Sequence, residues 1–278
     1  MEVAVIGKNG QLASCLKEVA PKSLNIIFYG SNRVDITRSD TYKPLASSDL
    51  IINCSAYTSV DKAEECPEDA FVVNRMGVIQ LASFCEKHRI KLIHFSTDFV
   101  FSGDGLVPYR EDDYTGPKSI YGASKLAGEE VILQSSLSAL VIRTSWLYSP
   151  YGHNFCKTVL RLGSERSKIS LVGDQIGTPT SALDLSRAVY EIIEKGLPKT
   201  PELLHISNIG QCSWANFARA IFKEKSLSVT VNDISAEVFN APAKRPKYSV
   251  LSTEKLLFRY GITMRHWKDA LSEVLMGL

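Results

Sequence analysis

Residues 2–13 read EVAVIGKNGQLA. Glu2–Ile6 is short, apolar and rich in β-branched residues, as a buried strand should be. Gly7 ends it, and a helical pattern runs on to about Ala20. A strand, a glycine-bearing turn and a helix form the opening of a dinucleotide-binding unit. Gly7 allows the tight turn, Gly10 allows backbone to approach a pyrophosphate, and the helix start offers free N–H groups to it. The spacing G-x-x-G-x-x-A lacks the first of the three usual glycines, so a plain strand-to-helix turn is the competing reading.

Outward from this stretch the pattern repeats. A strand over Asn25–Tyr29 is followed by GSNRVDIT. An NAD-preferring unit carries an acid at the end of this strand to hold the ribose 2′-hydroxyl. Here Tyr29, Gly30, Ser31, Asn32 and Arg33 occupy the region, which suits a 2′-phosphate better and leans towards NADPH, with NADH as the alternative. Arg33 reads equally well as a solvated loop residue. Asp35 and Ile36 then fall where an adenine could be bracketed. Further strands are predicted over Asp49–Cys54, Lys91–Phe95 and Ala139–Arg143, with a long helix over Pro67–His88 and a loop over 102–118. Strands alternating with helices argue for an α/β fold, a Rossmann-like doubly wound parallel sheet. Ligands of such sheets bind beyond the carboxyl ends of the strands, where the segments after the first, third, fourth and fifth strands all fall.

Within SIYGASKLAGE, residues 119–129, Tyr121 and Lys125 stand one helical turn apart on one face. An ammonium beside a phenol favours the phenolate and would pull the tyrosine pKa down from about 10, towards the range of a general acid. A solvated helix face is the plain alternative for the pair taken alone.

Beyond residue 150 the periodicity loosens. Helices are predicted at Asn154–Gly163, Ser181–Lys195, Trp214–Lys225, Glu254–Tyr260 and Arg265–Leu275, with short strands near Ile169–Val172 and Leu204–Ile206. The division expected is a nucleotide-binding domain over 1–150 and a smaller substrate-binding lobe over 151–278. Its boundary is soft, since the chain could cross back to the sheet near 174–195.

With 45% hydrophobic and 22% charged residues and a formal charge of +2, the composition is that of an ordinary globular protein. Nothing in it calls for nucleic acid or membrane as a partner. The six cysteines form no C-x-x-C pair, which suggests reduced thiols rather than a zinc site or disulfides. Glu2 stands where a secretory signal would carry basic charge, so the expectation is a soluble cytoplasmic protein.

These stretches together resemble the extended short-chain dehydrogenase/reductases, and among them the dTDP-4-dehydrorhamnose reductase family. The resemblance runs through GKNGQLA, NCSAYTSVDKAEECPEDAFVVN, HFSTDFVFSGD, PKSIYGASKLAGEE, IRTSWLYSPYGHNF, DQIGTPTSA and RPKYSVL, in that order. It implies reduction of a nucleotide-sugar ketone, with Tyr121 as the acid, Lys125 on the nicotinamide ribose and Thr97 hydrogen-bonded to the carbonyl oxygen. It places Gly10, Gln11 and Leu12 at the pyrophosphate, Asp35 and Ile36 near adenine, and Ala56, Tyr57 and Thr58 along the dinucleotide. For the dTDP-sugar it points to Val60, Thr97, Asp98, Trp146, Asn154, Gln175 and Arg245. Trp146 could equally be a core aromatic, and Arg245 an exposed turn. Ala13 replaces a glycine of many relatives. Some relatives form magnesium-bridged dimers through a glutamate on the first helix; Ser14, Cys15 and Leu16 supply no acid there. No metal is therefore expected, and monomer or homodimer is left open. Two other readings share the resemblance: a non-catalytic NADP-binding regulatory subunit, like that of methionine adenosyltransferase, and a nucleotide-sugar epimerase or dehydratase.

Overall fold

A computed structural model describes residues 1–278. The chain alternates β1 (Glu2–Ile6), α1 (Gln11–Glu18), β2 (Asn25–Tyr29), β3 (Leu50–Asn53), α2 (Val60–Glu65), α3 (Pro67–Phe71), α4 (Gly77–His88), β4 (Lys91–Thr97), α5 (Ile120–Leu133) and β5 (Ala139–Thr144). These strands and a sixth, Glu202–His205, form one sheet in the order 202–205, β5, β4, β3, β1, β2, and every pairing in it is parallel. This is the Rossmann-like α/β architecture.

Period-two alternation builds a core on each face of the sheet. Val3, Val5, Leu50, Ile52, Ile93, Phe95, Leu140 and Ile142 point one way, into a core that runs on to Phe217, Trp267 and Leu271. Ala4, Ile6, Ile51, Leu92, Ala139 and Val141 point the other way, against Val78, Leu81, Cys85 and Ile132 from α4 and α5.

Three elements depart from the sequence expectation. The strand placed in the smaller lobe near Leu204–Ile206 spans Glu202–His205 and forms the edge of the central sheet beside β5. The helix before it, α7 (Ala182–Lys195), crosses back to α1, where the Tyr190 hydroxyl donates to the Leu16 carbonyl at 2.8 Å. A parallel crossover from β5 to the neighbouring strand needs such a helix, which ties this part of the second half to the sheet. The predicted Pro67–His88 helix is interrupted over Val72–Met76 by a π-helical turn. A parallel strand pair joins Thr230–Ile234 to Lys168–Val172; the first of these carries three polar residues and is only partly buried, which hides it from a hydrophobic pattern.

No helix is long and apolar enough to cross a membrane.

Candidate active site

The order of strands reverses between β1 and β3, so a crevice opens beyond their carboxyl ends. A cleft of about 320 Å³ lies there, with walls from the β1 turn (Gly7, Lys8, Asn9, Gly10), from Ser31 to Thr37 after β2, and from Cys54 to Ala56 after β3. Gly7 has φ +87°, and a Cβ on it would stand 2.8 Å from the backbone of Cys54 and Ser55. Only glycine lets the first turn lie that close to the third strand. Gly10 caps α1 with no side-chain hydrogen bond, so the first N–H groups of the helix stay free for an anion. A dinucleotide fits this cleft: a cradle without side chains, a positive helix end, and an acid and an apolar residue at one wall.

Five of the cofactor candidates line the cleft, and the others lie outside its lining. Gly7, Gly10, Asp35, Ile36 and Ala56 are walls. Asp35 accepts from Thr37 through both its N–H (2.9 Å) and its hydroxyl (2.8 Å), which holds the wall in shape. Leu12 is buried in the core, so only its backbone can face a pyrophosphate. Gln11 uses its side chain to tie α1 to the 147–154 segment, donating to the Leu147 carbonyl at 3.3 Å. Arg33 is exposed, its guanidinium 5.5 Å from the Tyr29 ring centre. Lys8, which composition alone did not single out, supplies a cation at the cleft. Tyr57 is held at both its N–H and its carbonyl by Asn74 (2.9 and 3.0 Å), and Thr58 is exposed just beyond.

Asn74 explains the π-helical turn. It sits in that turn, 1% exposed, and its amide also donates to the Ser124 hydroxyl at 2.9 Å. The widened turn aims one side chain at both the 57–58 loop and α5; such π-bulges often mark functional sites.

Helix α5 carries Tyr121 and Lys125. Ser119 caps it by accepting from the Gly122 N–H at 3.1 Å, and Glu64 from α2 accepts from the Ile120 N–H at 2.8 Å. Gly122 brings the helix against the end of β4: a Cβ there would meet the Phe99 carbonyl oxygen at 2.3 Å. That approach puts Tyr121 beside Thr97, whose hydroxyl is near enough to favour the phenolate. Gly122→Ala therefore pushes α5 off the Thr97–Phe99 turn. A misplacement of about 1 Å in such a site costs about a hundredfold, and kcat measured on the folded variant checks it.

The electrostatics correct one expectation. Burial pushes the Tyr121 phenol up to about 12, with Thr97 lowering it and the Asp98 charge raising it. The pull expected from Lys125 is not among these influences. The ammonium is held instead by the Phe95 carbonyl at 2.6 Å. Lys125 is 2% exposed, and burial pushes it down to about 8 while Glu129, one turn on, pulls it back up. Behind it, the Ser55 N–H donates to Asn53 Oδ1 at 2.9 Å, so Asn53 Nδ2 faces His94 Nδ1 at 2.9 Å. The other ring nitrogen, Nε2, lies 3.4 Å from Lys125 Nζ. Burial and the Lys125 charge keep His94 neutral.

Glu129 in turn forms a buried ion pair with Arg143 of β5, through Nε and Nη2 at 3.1 and 2.8 Å, and accepts from the Ser96 hydroxyl. The side chains are 0% and 4% exposed. The sequence reading missed this network and the Asn53–His94 pair, since a lone Glu or Arg in a core strand carries no motif.

The substrate candidates divide. Thr97, Asp98 and Tyr121 are together. Val60 opens α2, next to Asp61. Arg245 pairs with Asp61 in a two-bond fork at 3.0 and 2.7 Å, which makes it neither an exposed turn nor a free fork. The pair joins α2 to the C-terminal segment across the site, and the guanidinium holds the Asp61 carboxyl below its usual range. Asn154 caps α6 (Phe155–Glu165) by accepting from the Lys157 N–H at 3.1 Å and donates to the Ser149 carbonyl at 2.8 Å. Trp146, with φ +45°, stacks on Trp214 at 3.5 Å between ring centres. Gln175 is buried beside Ile176, whose N–H donates to the Lys247 carbonyl at 2.7 Å.

The family model for the RmlD substrate binding domain matches residues 1–278. A dTDP-4-dehydrorhamnose reductase of Sinorhizobium fredii is 40% identical over 289 residues, covering 100% of this chain and 98% of its own. That of Escherichia coli is 32% identical, covering 100% and 98%. The crystal structure of the Bacillus anthracis dTDP-4-dehydrorhamnose reductase in complex with NADP superposes with a TM-score of 0.95 at 37% identity, covering 100% of this chain and 99% of that one. With the crevice, the Thr–Tyr–Lys constellation and these likenesses over the full length, the chain belongs to the RmlD family, that of the dTDP-4-dehydrorhamnose reductases.

Proposed function

We propose that this protein reduces the C4 ketone of dTDP-4-dehydro-6-deoxy-L-mannose to dTDP-L-rhamnose, using NADPH. The observation that carries the reading is Tyr121 beside Thr97, with Lys125 one turn on in α5, at the same strand ends where a dinucleotide crevice opens around Gly7 and Gly10. NADPH bound there supplies the hydride. The chain's own task is to place the ketone, stabilise the charge that grows on its oxygen, and deliver a proton. Tyr121 gives its phenolic proton to that oxygen, and the Thr97 hydroxyl hydrogen-bonds to it. Lys125, now on the Phe95 carbonyl, would hold the nicotinamide ribose when the cofactor is bound, and its charge would there favour the phenolate. Gly7, Gly10 and the free end of α1 hold the pyrophosphate, with Asp35 and Ile36 at the adenine. Asp61–Arg245 closes the sugar side, and a substrate diphosphate would compete with Asp61 for the guanidinium.

Incubation with NADPH and the dTDP-4-keto sugar is expected to consume NADPH in step with the appearance of dTDP-L-rhamnose. Cofactor binding with no turnover would contradict the reading. The choice of NADPH rests on Lys8 in the cleft wall and on Arg33 in the loop that leads into it. Arg33→Ala is expected to raise KM for NADPH about tenfold or more, the loss of a charge-assisted hydrogen bond, and to leave KM for NADH unchanged. An equal change for both would remove Arg33 from the 2′-phosphate.

A further inference from the structure

A hydroxyl has one proton, and that of Thr97 is already engaged. The Phe99 N–H donates to Thr97 Oγ1 at 3.2 Å, and Oγ1 lies 3.1 Å from Asp98 Oδ1. An ionised carboxylate only accepts, so a charged Asp98 holds the threonine proton. Asp98 is 2% exposed, and its Oδ2 has no hydrogen-bond partner. Turning Thr97 away would strip a buried anion of the one side-chain donor on Oδ1, which is costly. Yet the ketone oxygen needs that same proton.

We propose that Asp98 is a positioning residue that works in its protonated form: as a neutral acid it donates to Thr97 Oγ1, reverses the hydrogen bond, and frees the threonine proton for the substrate oxygen. The proposal rests on the reading of Thr97 as the carbonyl's hydrogen-bond donor. Its balance is simple. The carboxylate takes one proton from solvent, and no bond to carbon forms or breaks. Thr97 Oγ1 then accepts from the Phe99 N–H and the Asp98 O–H, which fills both lone pairs, and donates outward.

The surroundings favour this. From β4 Asp98 meets Thr97, and from the C-terminal segment it meets Ser249, whose hydroxyl is near but out of hydrogen-bonding geometry for Oδ2. From α5 it faces Tyr121, whose phenol it disfavours ionising. The neighbouring cations are engaged elsewhere: Lys125 on the Phe95 carbonyl, Arg245 on Asp61, and Lys247 acting on Asp104. With burial unopposed by a cation, the Asp98 carboxyl rises to about 7.

The test is kcat against pH for the full chain with NADPH and the keto sugar, for the parent, Asp98→Asn and Thr97→Val. An asparagine amide donates to Thr97 at every pH. Above the carboxyl's pKa the parent is expected to lose about tenfold per pH unit, and Asp98→Asn to lose that break while keeping the Lys125 break near 8. A merely structural Asp98 would change the rate without moving the break. Infrared spectra of the substrate-free parent add a readout that needs no variant activity: a protonated-carboxyl band that fades through neutral pH and is missing in Asp98→Asn. A variant that retains the parental break, or a parent without that band, would overturn the proposal. Full turnover by Thr97→Val would instead overturn the reading of Thr97 on which it rests.

Discussion

Tyr121→Phe is expected to lower kcat by about 10²–10⁴-fold, the range for loss of a positioned general acid, with little change in cofactor affinity. The phenol lies beside Thr97, where it can release a proton to a nascent alkoxide; Lys125 sits deeper, on the Phe95 carbonyl. Phenylalanine keeps the ring's edge-on contact with Phe99, whose centre is 5.5 Å away, so the site keeps its shape. Burial raises the phenol's pKa, which keeps it protonated and ready to donate at neutral pH. Steady-state kinetics beside a cofactor titration separate the two effects. A variant that turns over within about threefold of the parent would exclude Tyr121 as the acid.

The second large effect concerns stability. Arg143→Ala leaves Glu129 as an unpaired charge at 0% exposure, and such a break costs about 3–5 kcal/mol. The loss spreads, because Arg143 also lies 4.9 Å from the Phe101 ring centre and 3.5 Å from His205 Nε2. Burial and the Arg143 charge hold that imidazole down to about 3, so it stays neutral. Replacing both partners by apolar residues, Glu129→Leu with Arg143→Met, is expected to recover much of the loss, since no charge is then stranded. Urea unfolding of the single and double variants checks both statements. A double variant less stable than Arg143→Ala would show that the pair is worth more than the two desolvations it costs.

How much was legible beforehand follows from how local each signal is. EVAVIGKNGQLA carries its own turn, strand and helix start, and SIYGASKLAGE carries both its N-cap and the one-turn spacing. Those readings needed no partner. Glu202–His205 has two buried and two half-buried residues, and nothing in ELLH says which sheet it extends; that depends on the crossover by α7. Arg245 and Asn154 were visible as residue types able to meet a nucleotide. Their partners, Asp61 at a separation of 184 residues and the Ser149–Lys157 turn, exist only in the fold. Helix geometry places Lys125 near Tyr121 but cannot show the Phe95 carbonyl arriving from β4.

The most direct test is isotopic. NADPH deuterated at the transferable position of its nicotinamide is supplied with dTDP-4-dehydro-6-deoxy-L-mannose, and the sugar is followed by NMR. Reduction at the Thr97–Tyr121 site predicts dTDP-L-rhamnose with deuterium at C4 alone. A product without deuterium there, or cofactor oxidised with the sugar unchanged, would contradict it.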